Sequence, residues 1–150
     1  MRALVRRVHE AEVIVNDHSV GAIKQGLLVY LGICRDDEEN DIEWIAKKIL
    51  GMRIFDDSTG LMNLPISESK GILVVSQFTL FGNLRKGTRP SFNCAARGDF
   101  ALQMYLSLYD KLRSSFAGTL AKGEFGEEMK ITASDDGPVS IWLDSKNKAY

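Results

Sequence analysis

The chain has 150 residues, of which 45% are hydrophobic and 26% charged, and its formal net charge at pH 7 is −1. This length and composition predict one globular domain with a sizeable core. The near-zero charge excludes nucleic-acid binding by global attraction, so any such contact requires a local basic patch. The apolar runs are too short to span a membrane and the basic start leads into no signal segment, so we expect a cytoplasmic protein.

The N-terminal half predicts strands followed by one helix. Short β-prone runs, which indicate an antiparallel meander leading to a central strand, lie at residues 4–8, 12–15, 20–23 and 27–33. Asp36 and Asp37 suit the cap of an amphipathic helix that Gly51 would end. Asp56 and Asp57 precede Ser-Thr-Gly, which favours a turn over a pair of acid–base carboxylates.

The sequence contains few residues that are suited to metal ligation or to disulfide bonding. Cys34 and Cys94 are too few for a disulfide framework, and together with His9 and His18 they lack the spacing of a zinc site. Cys34 follows the predicted central strand without a nearby histidine, which favours a small buried hydrophobe over a nucleophile. We therefore expect no metal and no cofactor.

Residues 71–92 hold the most informative pattern of the chain. The run 72–75 predicts a buried strand that ends in polar groups flanking an aromatic ring, namely Ser76, Gln77, Phe78 and Thr79. The loop that follows carries three cations, Arg85, Lys86 and Arg89. Polar groups beside a cationic loop suit an anionic or phosphorylated ligand. The same pattern also fits hydroxyls that satisfy backbone groups and a loop that is merely solvated.

The C-terminal part predicts a second helix and two strands. Asp99 suits the helix cap, and the apolar face comprises Leu102, Tyr105, Leu106, Tyr109 and Leu112. Strands are predicted at 130–133 and 139–143, and residues 145–150 are typical of a frayed polar tail. Short strands with two amphipathic helices predict an α+β domain with a largely antiparallel, barrel-like sheet.

Several motifs, taken in order, resemble the D-aminoacyl-tRNA deacylase family over nearly the whole chain. The motifs are Arg2 to Val8, Lys48 to Phe55, Ser76-Gln77-Phe78-Thr79, Arg85 to Phe92, Gly123 to Met129 and Asp136-Gly137-Pro138-Val139. The departures from the family pattern are small: Asp135 stands where Asn is frequent, and Ser140 where Thr is frequent. The resemblance implies one deacylase domain over residues 1–150 that forms a homodimer, with its active sites at the subunit interface.

The resemblance also implies a reaction and a set of site residues. The reaction is hydrolysis of the ester that joins a D-amino acid, or glycine, to the terminal ribose of tRNA. Ser76, Gln77, Phe78 and Thr79 would surround the adenosine and the ester, with Phe125 also at the substrate. Gly137-Pro138, joined by a cis bond, would enter the opposite subunit's pocket, block L side chains and be braced by Arg7.

The chemistry of the residues leaves the mechanism open. The proposed centre lacks a histidine and a metal cluster, which favours positioning, backbone N–H donors and the substrate's 2′-hydroxyl. The alternative makes Thr79 a covalent nucleophile, although it has no adjacent base. The candidates for binding phosphates of the tRNA are Arg85, Lys86 and Arg89. Two other functions fit the same residues: a non-catalytic tRNA-end-binding module, and a hydrolase of small D-amino-acid esters.

Overall fold

The computed structural model describes residues 1–149, which form eight β-strands and two α-helices. The strands are β1 (Arg2–Val15), β2 (His18–Ile23), β3 (Gly26–Gly32), β4 (Phe55–Asp56), β5 (Met62–Leu64), β6 (Gly71–Ser76), β7 (Thr119–Lys122) and β8 (Lys130–Asp144). The helices are α1 (Glu39–Gly51) and α2 (Gly98–Ser115), and a 3₁₀ helix, Phe78–Phe81, follows β6. The predicted α+β class is confirmed.

Six strands form one mixed sheet that curls into a nearly closed barrel. β1 pairs antiparallel with β8 along one edge and with β3 and then β2 along the other. β3, β6 and β7 run parallel, because α1 and α2 lie in the two crossover connections between them. The sheet is therefore less antiparallel than predicted. β7 returns against β2, where a Cβ on Gly21 would lie 2.5 Å from the Lys122 carbonyl oxygen.

Apolar side chains on the two faces of the sheet form two separate cores. The outer face of the barrel packs against both helices through residues that include Val5, Val29, Val74, Ile49 and Leu108. The inner face fills the barrel with residues that include Val8, Val13, Leu28, Leu73 and Val75. Neighbouring residues of β3 and β6 thus enter different cores, which explains why both strands are apolar on both faces.

The sequence predicts four separate strands where the structure has two long ones. The runs 4–8 and 12–15 both belong to β1, and the runs 130–133 and 139–143 both belong to β8. The pairing of these two strands shifts register around Val8: Arg6 pairs with Ser140, whereas Val8 pairs with Asp135. Residues 136–139 of β8 therefore bulge opposite a single residue of β1.

The helix starts and one helix face differ from the prediction. α1 begins after Glu38, whose N–H donates to the Asp41 carboxylate at 2.8 Å, while the predicted cap Asp37 is buried and accepts from the Cys34 N–H at 2.7 Å. α2 begins at Gly98, so Asp99 lies inside its first turn. The face of α2 that packs on the barrel comprises Ala101, Met104, Tyr105, Leu108 and Leu112, whereas the predicted Leu102 is exposed.

The start of the predicted tail is ordered by contacts. Ser145 is buried, and its N–H donates to the Met1 carbonyl at 2.9 Å. Lys146 Nζ lies 2.7 Å from the Asp41 carboxylate. The tail prediction is therefore wrong at its first residues, and its last residue, 150, lies outside the described residues.

Candidate active site

A cavity of about 580 Å³ opens where the parallel strands β3 and β6 end, beside the start of α2. We call it the main cavity. It is lined by Tyr30, Leu31, Ile33, Val75, Ser76, Gln77, Phe78, Phe92, Ala95, Ala96, Arg97, Gly98, Ala101, Phe125, Gly126, Glu127, Met129 and Ile131. Four of the residues that the resemblance implies thus line this one cavity, namely Ser76, Gln77, Phe78 and Phe125.

The end of β6 delivers the polar groups of the cavity. Ser76 pairs with Leu31 of β3, and the Gln77 N–H donates to the Leu31 carbonyl at 2.7 Å. A Cβ on Gly32 would lie 3.0 Å from the Gln77 carbonyl oxygen, so glycine allows this close approach. The buried strand therefore fixes the main chain at Ser76 and Gln77, whose side chains are half-buried.

Aromatic rings occupy two sides of the cavity. The Phe78 ring is 57% exposed and meets the Phe92 ring edge to face, with centroids 5.1 Å apart. The Phe125 ring packs on Tyr105, with centroids 5.6 Å apart. The exposed ring of Phe78 beside polar strand-end groups suits a ligand that has both a flat base and polar substituents.

Tyr105 is buried behind the cavity and supports the ring of Phe125. Its hydroxyl donates to the Val74 carbonyl of β6 at 2.9 Å. Burial, with a smaller effect of Tyr109, raises the pKa of Tyr105 well above its ordinary value. Among the described residues that line the cavity, Arg97 and Glu127 are the charged ones, and none is a histidine.

Thr79 does not line the main cavity. It is exposed, lies in the 3₁₀ helix after Phe78, and its carbonyl accepts a bond from the Gly82 N–H at 2.9 Å. Helix-start N–H groups have no intrahelical acceptor, so those of Phe78 and Thr79 are available to a ligand. This position therefore favours a role for the backbone N–H groups over a role for the Thr79 hydroxyl as a nucleophile.

Gly137 and Pro138 lie in the β8 bulge and are not part of the lining of this chain's main cavity. The bond between them is cis, as the family resemblance implies, and Gly137 has a φ of 126°. Ile131, which does line the cavity, precedes Gly137 by six positions on the same strand. At about 3.3 Å per residue, this separation corresponds to about 20 Å along β8.

Arg7 is buried behind the bulge. Its guanidinium donates to the carbonyls of Ile54 at 2.6 Å and Asp136 at 3.2 Å. It also lies 3.2 Å from the carboxylates of Asp136 and Asp56. Asp56 thus ends strand β4 as a partner of Arg7, while Asp57 forms the predicted turn by accepting from the Thr59 N–H at 2.9 Å.

The predicted cationic loop is exposed at all three positions, Arg85, Lys86 and Arg89. Its ends are held together by a backbone bridge between Asn83 and Ser91. In the part of the chain that the structure describes, no carboxylate pairs with any of the three cations. The loop leads directly to Phe92, which lines the main cavity.

Several lining residues could not be found by looking for reactive side chains. Ala95 and Ala96 are small and buried, Met129 immediately precedes β8, and Ile131 is its second residue. Cys34 is half-buried, and its Sγ lies 3.0 Å from the Cys94 carbonyl oxygen, just outside this wall. Their signal in the sequence was only apolar character, which core residues share.

Residues 1–149 hold no group of three or more histidine, cysteine, aspartate or glutamate side chains suited to a metal ion. Neither of the two described helices is long and apolar enough to cross a membrane.

Comparisons with known proteins agree over nearly the whole chain. The family model described as D-Tyr-tRNA(Tyr) deacylase matches residues 4–144. The D-aminoacyl-tRNA deacylase of Thermosipho melanesiensis is 48% identical over 147 residues, which is 97% of this chain and 98% of the relative. That of Thermotoga petrophila is 49% identical over 146 residues, covering 97% of each.

Solved structures agree in fold. A protein called "c-Myc DNA Unwinding Element Binding Protein" superimposes with a TM-score of 0.89 and 35% identity, over 96% of this chain and 98% of its own. A probable eukaryotic D-amino acid tRNA deacylase matches with a TM-score of 0.79 over 95% and 97% of the two chains; its 18% identity makes it a likeness of fold.

The matched family model and the sequence relatives place the chain in the class of ester hydrolases that act on D-aminoacyl-tRNA. Within that class, the chain belongs to the D-Tyr-tRNA(Tyr) deacylase family. It therefore acts in proofreading, by deacylating tRNA that carries a D-amino acid.

Proposed function

We propose that the main cavity binds the 3′-terminal adenosine of tRNA and the D-aminoacyl ester attached to it, and that water cleaves the ester there to release the amino acid and the tRNA. The observation that carries this proposal is the joint placement of Ser76, Gln77, Phe78 and Phe125 around one cavity. Charged tRNA is a cytoplasmic substrate, so we propose that the protein works in the cytoplasm.

The two sides of the cavity would hold different parts of the substrate. An exposed aromatic face such as that of Phe78 stacks on a nucleobase, and stacking is worth about 1–3 kcal/mol per base. Ser76 and Gln77 carry a hydroxyl and an amide that can bond to ribose hydroxyls and to the ester. These contacts leave the reacting carbonyl at the start of the 3₁₀ helix.

The chemistry would rest on the main chain and on the substrate. The N–H groups of Phe78 and Thr79 can donate to the oxyanion that develops when water attacks the ester carbonyl. The vicinal 2′-hydroxyl of the ribose can assist departure of the 3′-oxygen, which takes up a proton. A covalent role for Thr79 is disfavoured, because this residue lies outside the cavity lining and has no basic partner among the described residues.

Selection against L-amino acids would come from Gly137-Pro138 of a second copy of the chain. The same segment of this copy does not line its own main cavity, so we expect the segment of another copy to enter it. Main-chain carbonyls there can accept bonds from the substrate ammonium and occupy the space of an L side chain. Glycine has no side chain to collide, so glycyl-tRNA would also be cleaved.

Arg7 would hold this segment in place as a positioning residue. Its guanidinium donates to the carbonyl and the carboxylate of Asp136. A Cβ added to Gly137 would lie 3.6 Å from Nη2 of Arg7. Exposed Arg85, Lys86 and Arg89 would bind phosphates of the acceptor end, giving affinity without sequence readout.

A mixing experiment tests the homodimer. One variant carries Gly137→Val, and the other carries Phe78→Ala in the cavity. Each variant alone is expected to be inactive on D-tyrosyl-tRNA, while subunit exchange between them restores about a quarter of wild-type turnover, because half of the dimers then hold one complete site. No recovery after confirmed exchange would show that each chain supplies its own Gly137-Pro138 segment.

The primary test compares D-tyrosyl-tRNA, L-tyrosyl-tRNA and D-tyrosine methyl ester with chelator present. Rapid loss of the D-tyrosyl-tRNA alone is the expected result. Equal background loss of both tRNA esters would leave a module that only binds tRNA ends. Equally fast cleavage of the methyl ester would make the enzyme a hydrolase of small D-amino-acid esters, with an incidental cationic loop.

A further inference from the structure

A second cavity of about 620 Å³ lies against the main cavity, on the other side of the segment that leads into α2. We call it the arginine groove, and it is lined by Arg35, Asn93, Ala95, Ala96, Arg97 and Phe100. Ala95, Ala96 and Arg97 line both cavities. The segment 95–97 is therefore a wall that the two cavities share.

Backbone contacts build the groove from two distant parts of the chain. Cys34 and Ala95 form an antiparallel bridge, in which the Arg35 N–H donates to the Cys94 carbonyl at 3.3 Å. The Ala96 N–H donates to the Ile33 carbonyl at 2.8 Å. This pairing fixes Arg35 beside the segment that contains Arg97, although 62 positions separate them in the sequence.

The two arginines of the groove are exposed and unpaired within the described part of the chain. By contrast, Arg2, Arg6 and Arg7 each contact an aspartate at 3.2 Å or less. The neighbouring carboxylates of Asp36 and Asp99 do not line the groove. Two arginines that line one groove without a carboxylate partner suit a phosphate, because each guanidinium can bind a phosphate through two parallel hydrogen bonds.

Two further features suit a nucleotide rather than a free anion. Phe100 is 40% exposed at the groove and offers a face on which a base can stack. Arg97 is the N-cap of α2 and makes no capping bond, so the first N–H groups of the helix also lack a side-chain acceptor. The groove thus presents donors for a phosphate and an aromatic ring for a base.

We propose that the arginine groove binds the penultimate nucleotide of the tRNA, with Arg35 and Arg97 on the phosphate that joins it to the terminal adenosine and Phe100 against its base. The proposal rests on the proposed function, because it takes the adenosine to lie in the main cavity. It assigns to the groove a contact distinct from those of the cationic loop at Arg85, Lys86 and Arg89. A substrate without this phosphate gains nothing from the groove.

The test compares two substrates that differ in this phosphate. D-tyrosyl-tRNA carries it, and the 3′-ester of D-tyrosine with adenosine does not. In the double variant Arg35→Ala, Arg97→Ala, kcat/KM for the tRNA ester is expected to fall roughly tenfold relative to that for the adenosine ester. The variant Arg35→Lys, Arg97→Lys keeps the charges and recovers part of this ratio. Arg113→Ala, at the opposite end of α2, is the matched control.

Titration of uncharged tRNA at several salt concentrations tests the groove without catalysis. The double alanine variant is expected to reduce the slope of log K against log salt by about 1 for the lost phosphate contact, whereas Arg113→Ala leaves it as in the wild type. An unchanged slope with an unchanged substrate ratio overturns the proposal. Equal loss on both esters also overturns it, because the arginines would then serve the main cavity itself.

The outcomes separate this proposal from the function on which it rests. A wild-type protein that cleaves neither D ester refutes the proposed function. If that protein still shows the arginine-dependent salt slope with uncharged tRNA, the groove binds the acceptor end without catalysis. If the wild type cleaves both esters and the variants match it, the function stands and the groove proposal fails.

Discussion

Replacement of Arg7 by alanine is expected to destabilise the protein far more than the same change at the adjacent Arg6. Arg7 is buried, and its guanidinium bonds to the carbonyls of Ile54 and Asp136 and to the Asp136 carboxylate. Arg6 points to the other face of β1 and binds only the Asp135 carboxylate tightly, at 3.0 and 2.7 Å. The two residues thus compare a buried with a surface ion pair on one strand.

The expected magnitudes follow from what each substitution leaves behind. Without Arg7, the Ile54 and Asp136 carbonyls lose a partner, at about 1–3 kcal/mol for each group that stays buried. The Asp136 side chain is 20% exposed, so its charge also loses compensation with limited access to water. We expect Arg7→Ala to lower the free energy of unfolding by about 3–5 kcal/mol. The partly exposed Arg6 pair is worth about 1 kcal/mol at most.

Urea unfolding at pH 7 measures both values, and deacylation of D-tyrosyl-tRNA and L-tyrosyl-tRNA measures the effect on selection. Arg7→Lys serves as a variant that folds, because its ammonium keeps the charge but cannot span all of the acceptors of the guanidinium. The Arg7→Lys protein is expected to remain folded but to turn over the D ester more slowly than the wild type. An Arg7→Ala protein no less stable than Arg6→Ala would refute the argument from burial.

Three further changes test other parts of the structure. Thr79→Ala is expected to keep near-normal turnover of D-tyrosyl-tRNA, because the main chain supplies the N–H group. Hydrogen bonds from Thr59 lower the pKa of Asp57 to about 2, below its ordinary value of about 3.9. The Asp57 carboxylate therefore stabilises the fold above about pH 4, and this contribution is lost as the pH falls through 2. In urea titrations, Asp57→Ala is expected to lower the free energy of unfolding at pH 7 and to change it little at pH 2. Gly26→Ala would place Cβ 1.8 Å from a backbone oxygen of β6 and is expected to prevent folding, whereas Gly51→Ala meets nothing and adds about 0.5–1 kcal/mol in thermal unfolding.

These three predictions have distinct contrary outcomes. Complete loss of turnover in a folded Thr79→Ala protein, together with a trapped acyl-enzyme, would restore the covalent mechanism. A destabilisation by Asp57→Ala that does not change with pH would mean that packing of the turn, and not its charge, is responsible. A folded Gly26→Ala protein would show that β3 and β6 can separate at their first residues.

Local pattern predicted the elements of this fold better than their arrangement. The apolar runs of β3 and β6 and the periodicity of α1 mark single elements, and each lies where the sequence predicts it. The continuity of β1 through His9 and Glu10 depends on pairing with β8, more than 100 residues away, which no local pattern encodes. The parallel order of β3, β6 and β7 likewise depends on how two helices pack on one face of the sheet.

The same distinction holds for the site. Ser76, Gln77 and Phe78 stand out because polar groups end an apolar strand, whereas Phe125 joined them through family resemblance alone. Arg35 gave no signal at all, because its position beside Arg97 results from a backbone bridge between distant segments. A search by residue type finds groups that react, and it overlooks a wall made of small side chains and main chain.

A site that works through its main chain is sensitive to change at different positions from a site built on reactive side chains. Substitution of Thr79 leaves the N–H group where it is, whereas a Cβ on Gly137 would lie 2.8 Å from Val139 Cγ2 and 2.9 Å from the Val139 nitrogen. The bulge would have to move, and in the proposed dimer it would move inside the other subunit's cavity. Activity should therefore tolerate loss of a hydroxyl at the cavity better than gain of a methyl group at the bulge.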